Sequence, residues 1–157
     1  WTGITLRPLN DNYGLKKMAR PMYENPENRR IEREVADYLE KVWDCKCYKL
    51  PIAYHADFVG MRGNKVVGFA EVKSRTISYN THKTAMISEL KRMNCLKLAD
   101  HFNVPVNLIY KYDDGIFWID FRVEPDFHEI GGRKNTARDD QDIEIMAHWY
   151  RNRLNKL

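Results

Sequence analysis

The chain has 157 residues, 43% of them hydrophobic and 31% charged, which is enough for one substantial core and too few for two ordinary domains. Its apolar runs fall short of the roughly 20 residues that cross a bilayer, and Trp1–Ile4 has no signal-peptide features, so we expect a soluble, cytoplasmic protein with no membrane partner. The net charge is +4, from 26 Lys and Arg against 22 Asp and Glu, and it is compatible with a polyanionic partner.

The chain begins with a predicted N-terminal arm over residues 1–27, a stretch without periodicity that contains Pro8, Pro21 and Pro26. Residues 28–157 are then expected to form a single domain. The first helix follows Asn25-Pro26 and ends near Trp43, because apolar residues recur there at helical spacing, at Ile31, Val35, Tyr38, Leu39 and Val42.

From Tyr48 to Ile77 the pattern is typical of β-strands, and Arg62–Lys65 is typical of a hairpin turn. A loop centred on Asn64 fixes the register of the two strands. The predicted antiparallel partners are Met61 with Val67, Val59 with Phe69, and Asp57 with Glu71. The two carboxylates then meet at the far end of the strand pair, whereas a shift of one residue would place Asp57 opposite Ala70.

A second helix is predicted over Thr84–Phe102, with its buried stripe formed by Met86, Leu90, Met93, Leu96 or Lys97, and Phe102. Val104–Tyr112 and Gly115–Val123 alternate on either side of a turn and predict a second hairpin. Gly131-Gly132 is expected to open a basic loop, and residues 142–157 fit either a strand or a helix. The order of elements predicts an α/β or α+β sheet with a helix on each face.

The chemistry lies in Glu71-Val72-Lys73, because a strand directs Glu71 and Lys73 to one face and Val72 to the other. With Asp57 at the same edge, two carboxylates and an ammonium group converge. Mg²⁺ accepts one or two carboxylates together with waters and phosphate oxygens. A bound ion of this kind activates water and neutralises phosphate charge, so the residues favour phosphodiester hydrolysis.

These residues also resemble a known family. His55-Ala56-Asp57, thirteen intervening residues and Glu71-Val72-Lys73 resemble the PD-(D/E)xK superfamily of restriction-endonuclease-like nucleases, with Ala56 where that pattern often has Pro. Ile31–Leu39 followed by the hairpin is similar to archaeal-type Holliday-junction resolvases and related phage enzymes. The resemblance implies a mixed central sheet flanked by helices.

The same resemblance implies roles for individual residues. Asp57 and Glu71 would be metal ligands, the backbone carbonyl of Val72 a further ligand, and Lys73 the catalytic lysine. Glu32 would be the helix carboxylate that reaches the metal through water, with Glu34 as the alternative. The implied cofactor is Mg²⁺, for which Mn²⁺ would substitute.

Further polar side chains are candidate DNA contacts, with an ordinary solvated surface as the alternative for each. They are Arg75, Ser78, His82 and Lys83 after the catalytic strand, Ser88 and Lys91 on the second helix, and Arg133, Lys134 and Arg138 in the basic loop.

The predicted function is a Mg²⁺-dependent DNA endonuclease, selective for branched or junction DNA, in recombination, repair or phage DNA processing. The alternatives are a module that binds nucleic acid without cutting it, and an exonuclease or RNA-directed nuclease of the same fold. A homodimer follows if the enzyme cuts junctions symmetrically, because that requires two active sites.

Overall fold

The computed structural model describes residues 26–51, 54–132 and 143–157. Its helices are α1 (Pro26–Val42) and α2 (Glu89–Phe102), and a short 3-10 turn spans Arg151–Arg153. The strands are β1 (Lys46–Lys49), β2 (Phe58–Arg62), β3 (Lys65–Ser74), β4 (Thr84–Ser88), β5 (Val106–Tyr112), β6 (Gly115–Asp120), β7 (Phe127–Gly132), β8 (Ile143–Tyr150) and β9 (Asn155–Lys156). Within these ranges no helix is long and apolar enough to span a bilayer.

Two sheets organise the chain. The larger has six strands in the order β1-β2-β3-β5-β6-β9, and the smaller has three in the order β4-β8-β7. Strands β3 and β5 run parallel, and the other paired strands are antiparallel. The α/β fold with a mixed central sheet is therefore confirmed.

Helix α1 covers one face of the six-stranded sheet. Its buried residues Val35, Ala36 and Leu39 pack on side chains from β1, β2, β3 and β5, among them Phe58, Ala70, Val72 and Ile109. Burying a side chain such as Leu39 contributes about 1.5–3 kcal/mol, so this stripe holds the helix on the sheet. Of the residues predicted for the stripe, Tyr38 and Val42 are instead exposed. The predicted arm overlaps α1 by two residues, Pro26 and Glu27.

The opposite face of the large sheet is covered by α2 and by the three-stranded sheet. Side chains of β3, β5 and β6 meet Cys95, Leu98 and Ala99 of α2 there, together with Ala147 and Trp149 of β8. The prediction of a helix on each face is confirmed. The fold therefore buries both faces of β3, the strand that carries Glu71 and Lys73.

The predicted second helix is wrong in its first turn, where Thr84–Ser88 forms strand β4. Ala85 and Ile87 alternate into the core while β4 pairs with β8. Ser88 then caps α2, because its side chain accepts the Lys91 N–H at 3.4 Å.

The predicted buried stripe of this helix is also wrong at most positions, although Leu96 does pack against the core. The side chains of Leu90, Met93 and Phe102 are exposed, and Met86 is an exposed residue of β4. The buried residues are instead Arg92, Cys95, Leu98 and Ala99. Arg92 is accommodated because its guanidinium bonds the Phe121 carbonyl and the carboxylates of Glu89 and Glu124.

The C-terminal region contains more strand than predicted. Gly131 and Gly132 are the last residues of β7, where they pair with Glu144 and Ile143 of β8, and the basic loop predicted to follow them lies outside the described residues. The segment that fitted either a strand or a helix forms strand β8 over Ile143–Tyr150. Strands β4 and β7 pair with its two edges. The β5–β6 hairpin is confirmed, closing with Tyr112 opposite Gly115.

The β2–β3 hairpin keeps the predicted register over its outer half, where Val59 pairs with Phe69. The register then shifts between Gly60 and Met61, so that Met61 pairs with Val66 and the predicted partner Val67 is wrong. A bulge of this kind inserts one extra residue and bends the strand. At the end of the ladder away from the turn, the last pair is Phe58 with Ala70, and Asp57 is the residue directly preceding Phe58 in the chain.

Candidate active site

Glu71 and Lys73 lie on the α2 face of β3, as the alternation of a strand predicts. The Lys73 ammonium donates a 2.6 Å hydrogen bond to Glu71 Oε1. Val72 points the other way, into the apolar cluster beneath α1. Successive residues of the strand therefore alternate between a charged face and an apolar face.

Asp57 is fixed to the same strand through both its backbone and its side chain. Its N–H donates to the Ala70 carbonyl at 3.0 Å, and its Oδ2 accepts the Val72 N–H at 2.8 Å. The predicted ladder pair between Asp57 and Glu71 is thus replaced by bonds to the residues on either side of Glu71. The two carboxylates still lie at the same end of the hairpin, since the Lys73 ammonium interacts electrostatically with both.

Glu32 reaches this site from α1 through a lysine. Lys49 of β1 pairs with the Glu32 carboxylate and also lies 3.3 Å from Asp57 Oδ1. Glu34 instead pairs with Arg30 on the exposed surface of the helix. The geometry therefore associates Glu32, rather than Glu34, with Asp57.

Lys49 is a site residue that the sequence reasoning missed. Its strand pairs with β2 so that Lys49 stands opposite Phe58, the neighbour of Asp57. Knowing the register of β1 against β2 would have placed Lys49 beside Asp57. However, β1 has only four residues, and the sequence shows no tight turn between it and β2 from which that register could be derived.

Lys91 extends from the first turn of α2 toward Glu71. Its Nζ lies 2.9 Å from Glu71 Oε2 as an ion pair, and that oxygen is buried without a hydrogen bond. Three carboxylates and three lysines thus gather at one end of the hairpin, so that their formal charges cancel: Glu32, Asp57, Glu71, Lys49, Lys73 and Lys91.

The neighbouring charges decide the ionisation of the site. Burial raises the pKa of Asp57, but Lys73, the Val72 N–H, Lys49 and Lys91 together bring it below its ordinary value. Burial lowers the pKa of Lys73, and the adjacent Glu71, with Asp57, outweighs burial and raises it. Asp57 is therefore held as a carboxylate, an oxygen ligand, and Lys73 as an ammonium group, a hydrogen-bond donor.

The donor set fits a hard divalent cation that takes few ligands from the protein. In the part of the chain that the structure describes, no three His, Cys, Asp or Glu side chains cluster closely enough to hold an ion. Mg²⁺ does not need such a cage, because it keeps several waters and uses one or two carboxylates with substrate phosphate. Glu71 Oε2 has no hydrogen bond from the described residues and faces only the Lys91 ammonium of the ion pair there, so it is an oxygen that a cation could take as a ligand.

Three of the predicted DNA contacts share one cleft. Arg75, His82 and Lys83 line a cavity of about 300 Å³ together with Tyr110, whose ring lies 5.8 Å from the Arg75 guanidinium carbon. Tyr110 is the ladder partner of Lys73, so the cleft begins beside the carboxylate site. Cationic side chains therefore continue from the site along the sheet.

The remaining candidates lie elsewhere. Ser78 donates to Asp114 Oδ2 at 2.5 Å, and Ser88 donates to Glu144 besides capping α2, so both hydroxyls serve local structure. Ser88 and Lys91, predicted to grip one phosphate together, have different partners. Arg133, Lys134 and Arg138 lie outside the described residues.

A comparison with protein families identifies the chain as a whole. The family model described as "Phage putative PDDEXK endonuclease" matches residues 18–157. The chain belongs to this family. The resemblance drawn from Asp57 and Glu71-Val72-Lys73 is thereby confirmed, and the chain is a nuclease by family.

The chain was also compared with individual proteins. Among solved structures, Hjc from Archaeoglobus fulgidus, a Holliday junction resolvase from an archaeal hyperthermophile, is similar with a TM-score of 0.47 and 17% sequence identity. The match covers 61% of this chain and 74% of that one. No curated protein matches the chain.

Proposed function

We propose that this nuclease is a Mg²⁺-dependent DNA endonuclease that acts on branched or junction DNA. The observation that carries the proposal is the convergence of Asp57, Glu71 and Lys73 at one end of the hairpin, beside a cationic cleft. Acidic oxygens for a cation, an ammonium donor and a phosphate-binding surface are the three components that hydrolysis of a phosphodiester requires.

Each residue has a distinct role in the proposed reaction. Asp57, Glu71 and the Val72 carbonyl would hold the ion, and Glu32 would act on it through water. A bound Mg²⁺, or Mn²⁺ in its place, supplies an acidified water and neutralises charge on the phosphate. Lys73, held as an ammonium group by Glu71, orients the attacking water and donates to the oxygen on which charge develops.

The proposed substrate class follows from the kind of contact the cleft offers. Arg75 and Lys83 supply cations and His82 a ring N–H donor for backbone phosphates, and such contacts position DNA without reading its sequence. An enzyme that binds mainly by phosphates selects by the shape of its substrate. Two cuts in a symmetric junction require two active sites, so we propose a homodimer in recombination, repair or phage DNA processing.

Two alternatives use the same fold. A module that binds nucleic acid without cutting it has no need for the buried Glu71–Lys73 pair, which is costly to desolvate. An exonuclease or RNA-directed nuclease would use the same residues on a different substrate.

The test compares Lys73→Met with Lys65→Met, an exposed lysine at the other end of β3. Supercoiled, linear, single-stranded and four-way-junction DNA and a matched RNA are incubated with each protein in Mg²⁺, Mn²⁺ or EDTA. We expect metal-dependent internal cleavage, fastest on the junction, and a loss of about 10²–10⁴-fold in Lys73→Met only.

The other results would each select a different function. Tight binding without metal-dependent cleavage of any substrate would identify a non-cutting module. Cleavage confined to ends would identify an exonuclease, and cleavage of RNA alone an RNA-directed nuclease. Sedimentation of the protein with junction DNA tests the dimer.

A further inference from the structure

Two of the three lysines in the site are not part of the strand that carries Glu71. Lys91 comes from α2 and meets Glu71 Oε2, while Lys49 comes from β1 and joins Glu32 to Asp57. Both lysines therefore contact carboxylates that, under the proposed function, bind the metal or reach it through water.

The position of Lys91 is unfavourable for a cation unless Glu71 is its partner. It lies in the first turn of α2, where the positive end of the helix dipole repels positive charge. Among the described residues, its ammonium also makes a 3.4 Å hydrogen bond to the Tyr54 carbonyl. The ion pair with Glu71 is thus the main interaction that holds the Lys91 ammonium at this place.

The present position of the Lys91 ammonium would be unfavourable with a divalent ion on Glu71 Oε2. A Mg²⁺ ligand stands roughly 2.1 Å from the ion, and a lysine 2.9 Å from the same oxygen would then be a close like charge. Glu71 is buried on a central strand, so its side chain has little room to move away from Lys91. The Lys91 side chain is 29% exposed, so it is the member of the pair that can move.

We propose that Lys91 is an exchangeable counter-ion: it neutralises Glu71 in the metal-free protein and moves to a substrate phosphate when the carboxylate takes up a metal. The proposal rests on the proposed function and adds a coupling to it. Lys91 competes with the metal for Glu71, and substrate removes the competitor. Metal and DNA therefore strengthen the binding of one another by the same factor.

The experiment measures metal binding directly, by calorimetric titration of Mn²⁺ into the full chain without DNA. Lys91→Met is compared with Lys97→Met, an exposed lysine on the same helix whose ammonium bonds Asn94 at 3.3 Å. We expect Lys91→Met to bind Mn²⁺ about tenfold more tightly, because loss of a nearby like charge favours the cation. Lys97→Met should bind it as the wild type does.

The second measurement is the affinity for four-way-junction DNA, by fluorescence anisotropy in EDTA and in Ca²⁺. The wild type and Lys97→Met should gain affinity when the metal is added. Lys91→Met should lose about threefold to tenfold of that gain, in the range of one charged hydrogen bond to phosphate. Lys91→Gln and Lys91→Arg complete the series: the first should follow Lys91→Met and also serves if that variant does not fold, and the second should follow the wild type.

The results separate the two proposals. Unchanged or weaker Mn²⁺ binding in both Lys91→Met and Lys91→Gln would overturn the counter-ion role while leaving the nuclease site intact. A wild-type protein that binds no Mn²⁺ and cleaves no substrate would overturn the proposed function itself.

Discussion

The two faces of β3 differ in what holds them against the rest of the protein. On the α1 face, Ala70 and Val72 pack in an apolar cluster with Val35 and Leu39. One residue along on the α2 face, Glu71 is equally buried but is held by lysines from its own strand and from a helix.

The contrast teaches how one strand supports both stability and chemistry. Apolar packing is strong and does not depend on any ligand, so it fixes the strand before a substrate arrives. Buried ion pairs add little net stability because desolvation offsets their attraction. Charges can therefore be rearranged at the α2 face at little cost to the fold, because the α1 face supplies the rigidity.

The largest effect is expected for Glu71→Gln. The substitution preserves volume but removes the charge of a proposed metal ligand, so cleavage of junction DNA should fall by about 10³-fold or more. Because Lys73 and Lys91 would each lose their charged partner, the unfolding free energy should fall as well. Single-turnover cleavage and urea unfolding measure the two quantities, and near-normal cleavage would show that Glu71 is not in the reaction.

A smaller effect, on stability rather than on cleavage, is expected for Val72→Ala. Removing a buried side chain from the α1 cluster should cost about 2 kcal/mol of unfolding free energy through lost burial and a residual cavity. The Val72 carbonyl is retained, so cleavage per folded molecule should stay near the wild-type rate. Urea unfolding and active-site titration provide the readouts. A large loss of rate in the folded fraction would mean that the two faces are not independent.

The smallest effect concerns Glu40, a carboxylate on the α1 side that serves structure alone. The Cys47 N–H, Lys46 and Arg33 bond it and lower its pKa from 4.5 to about 2. A carboxyl group with a lowered folded-state pKa adds stability above its unfolded pKa, and this stability is lost as the pH falls from about 4.5 toward 2.

Thermal melts between pH 7 and pH 3 test this prediction. Glu40→Gln should flatten the decline in melting temperature below about pH 4.5 relative to the wild type. Glu34→Gln is the control, because Glu34 is exposed and pairs only with its helical neighbour Arg30 among the contacts described for it. Equal slopes in Glu40→Gln and the wild type would contradict the prediction.

The features that the sequence predicted depend on neighbours along the chain. Helix α1 and the placement of Glu71 and Lys73 on one face follow from helical and strand periodicity. The hairpin brought Asp57 to the same end because its turn lies only a few residues away. The register shift opposite Gly60 and Met61, where Val67 is the extra residue, escaped prediction because Val66 and Val67 are both apolar and their order marks no face.

The features that were missed depend on distant partners. Strand β4 was read as helix because Met86, Leu90 and Met93 fit a helical period, whereas its strand partner β8 begins only at Ile143. Lys91 was predicted to bind phosphate, but its contact with Glu71 arises from the packing of α2 against the sheet. Lys49 was missed for the same reason, since β1 must first dock beside β2.

The bond between Asp57 Oδ2 and the Val72 N–H has a consequence for how relatives of this protein are judged. The carboxylate closes the open end of the β2–β3 ladder, a structural task that continues whether or not the protein cuts DNA. For this structural reason we expect an inactive relative to keep an aspartate at this position. Glu71 and Lys73 have no comparable bond to the backbone among the described contacts, so under the proposed function we expect their loss, rather than that of Asp57, to mark an inactive relative.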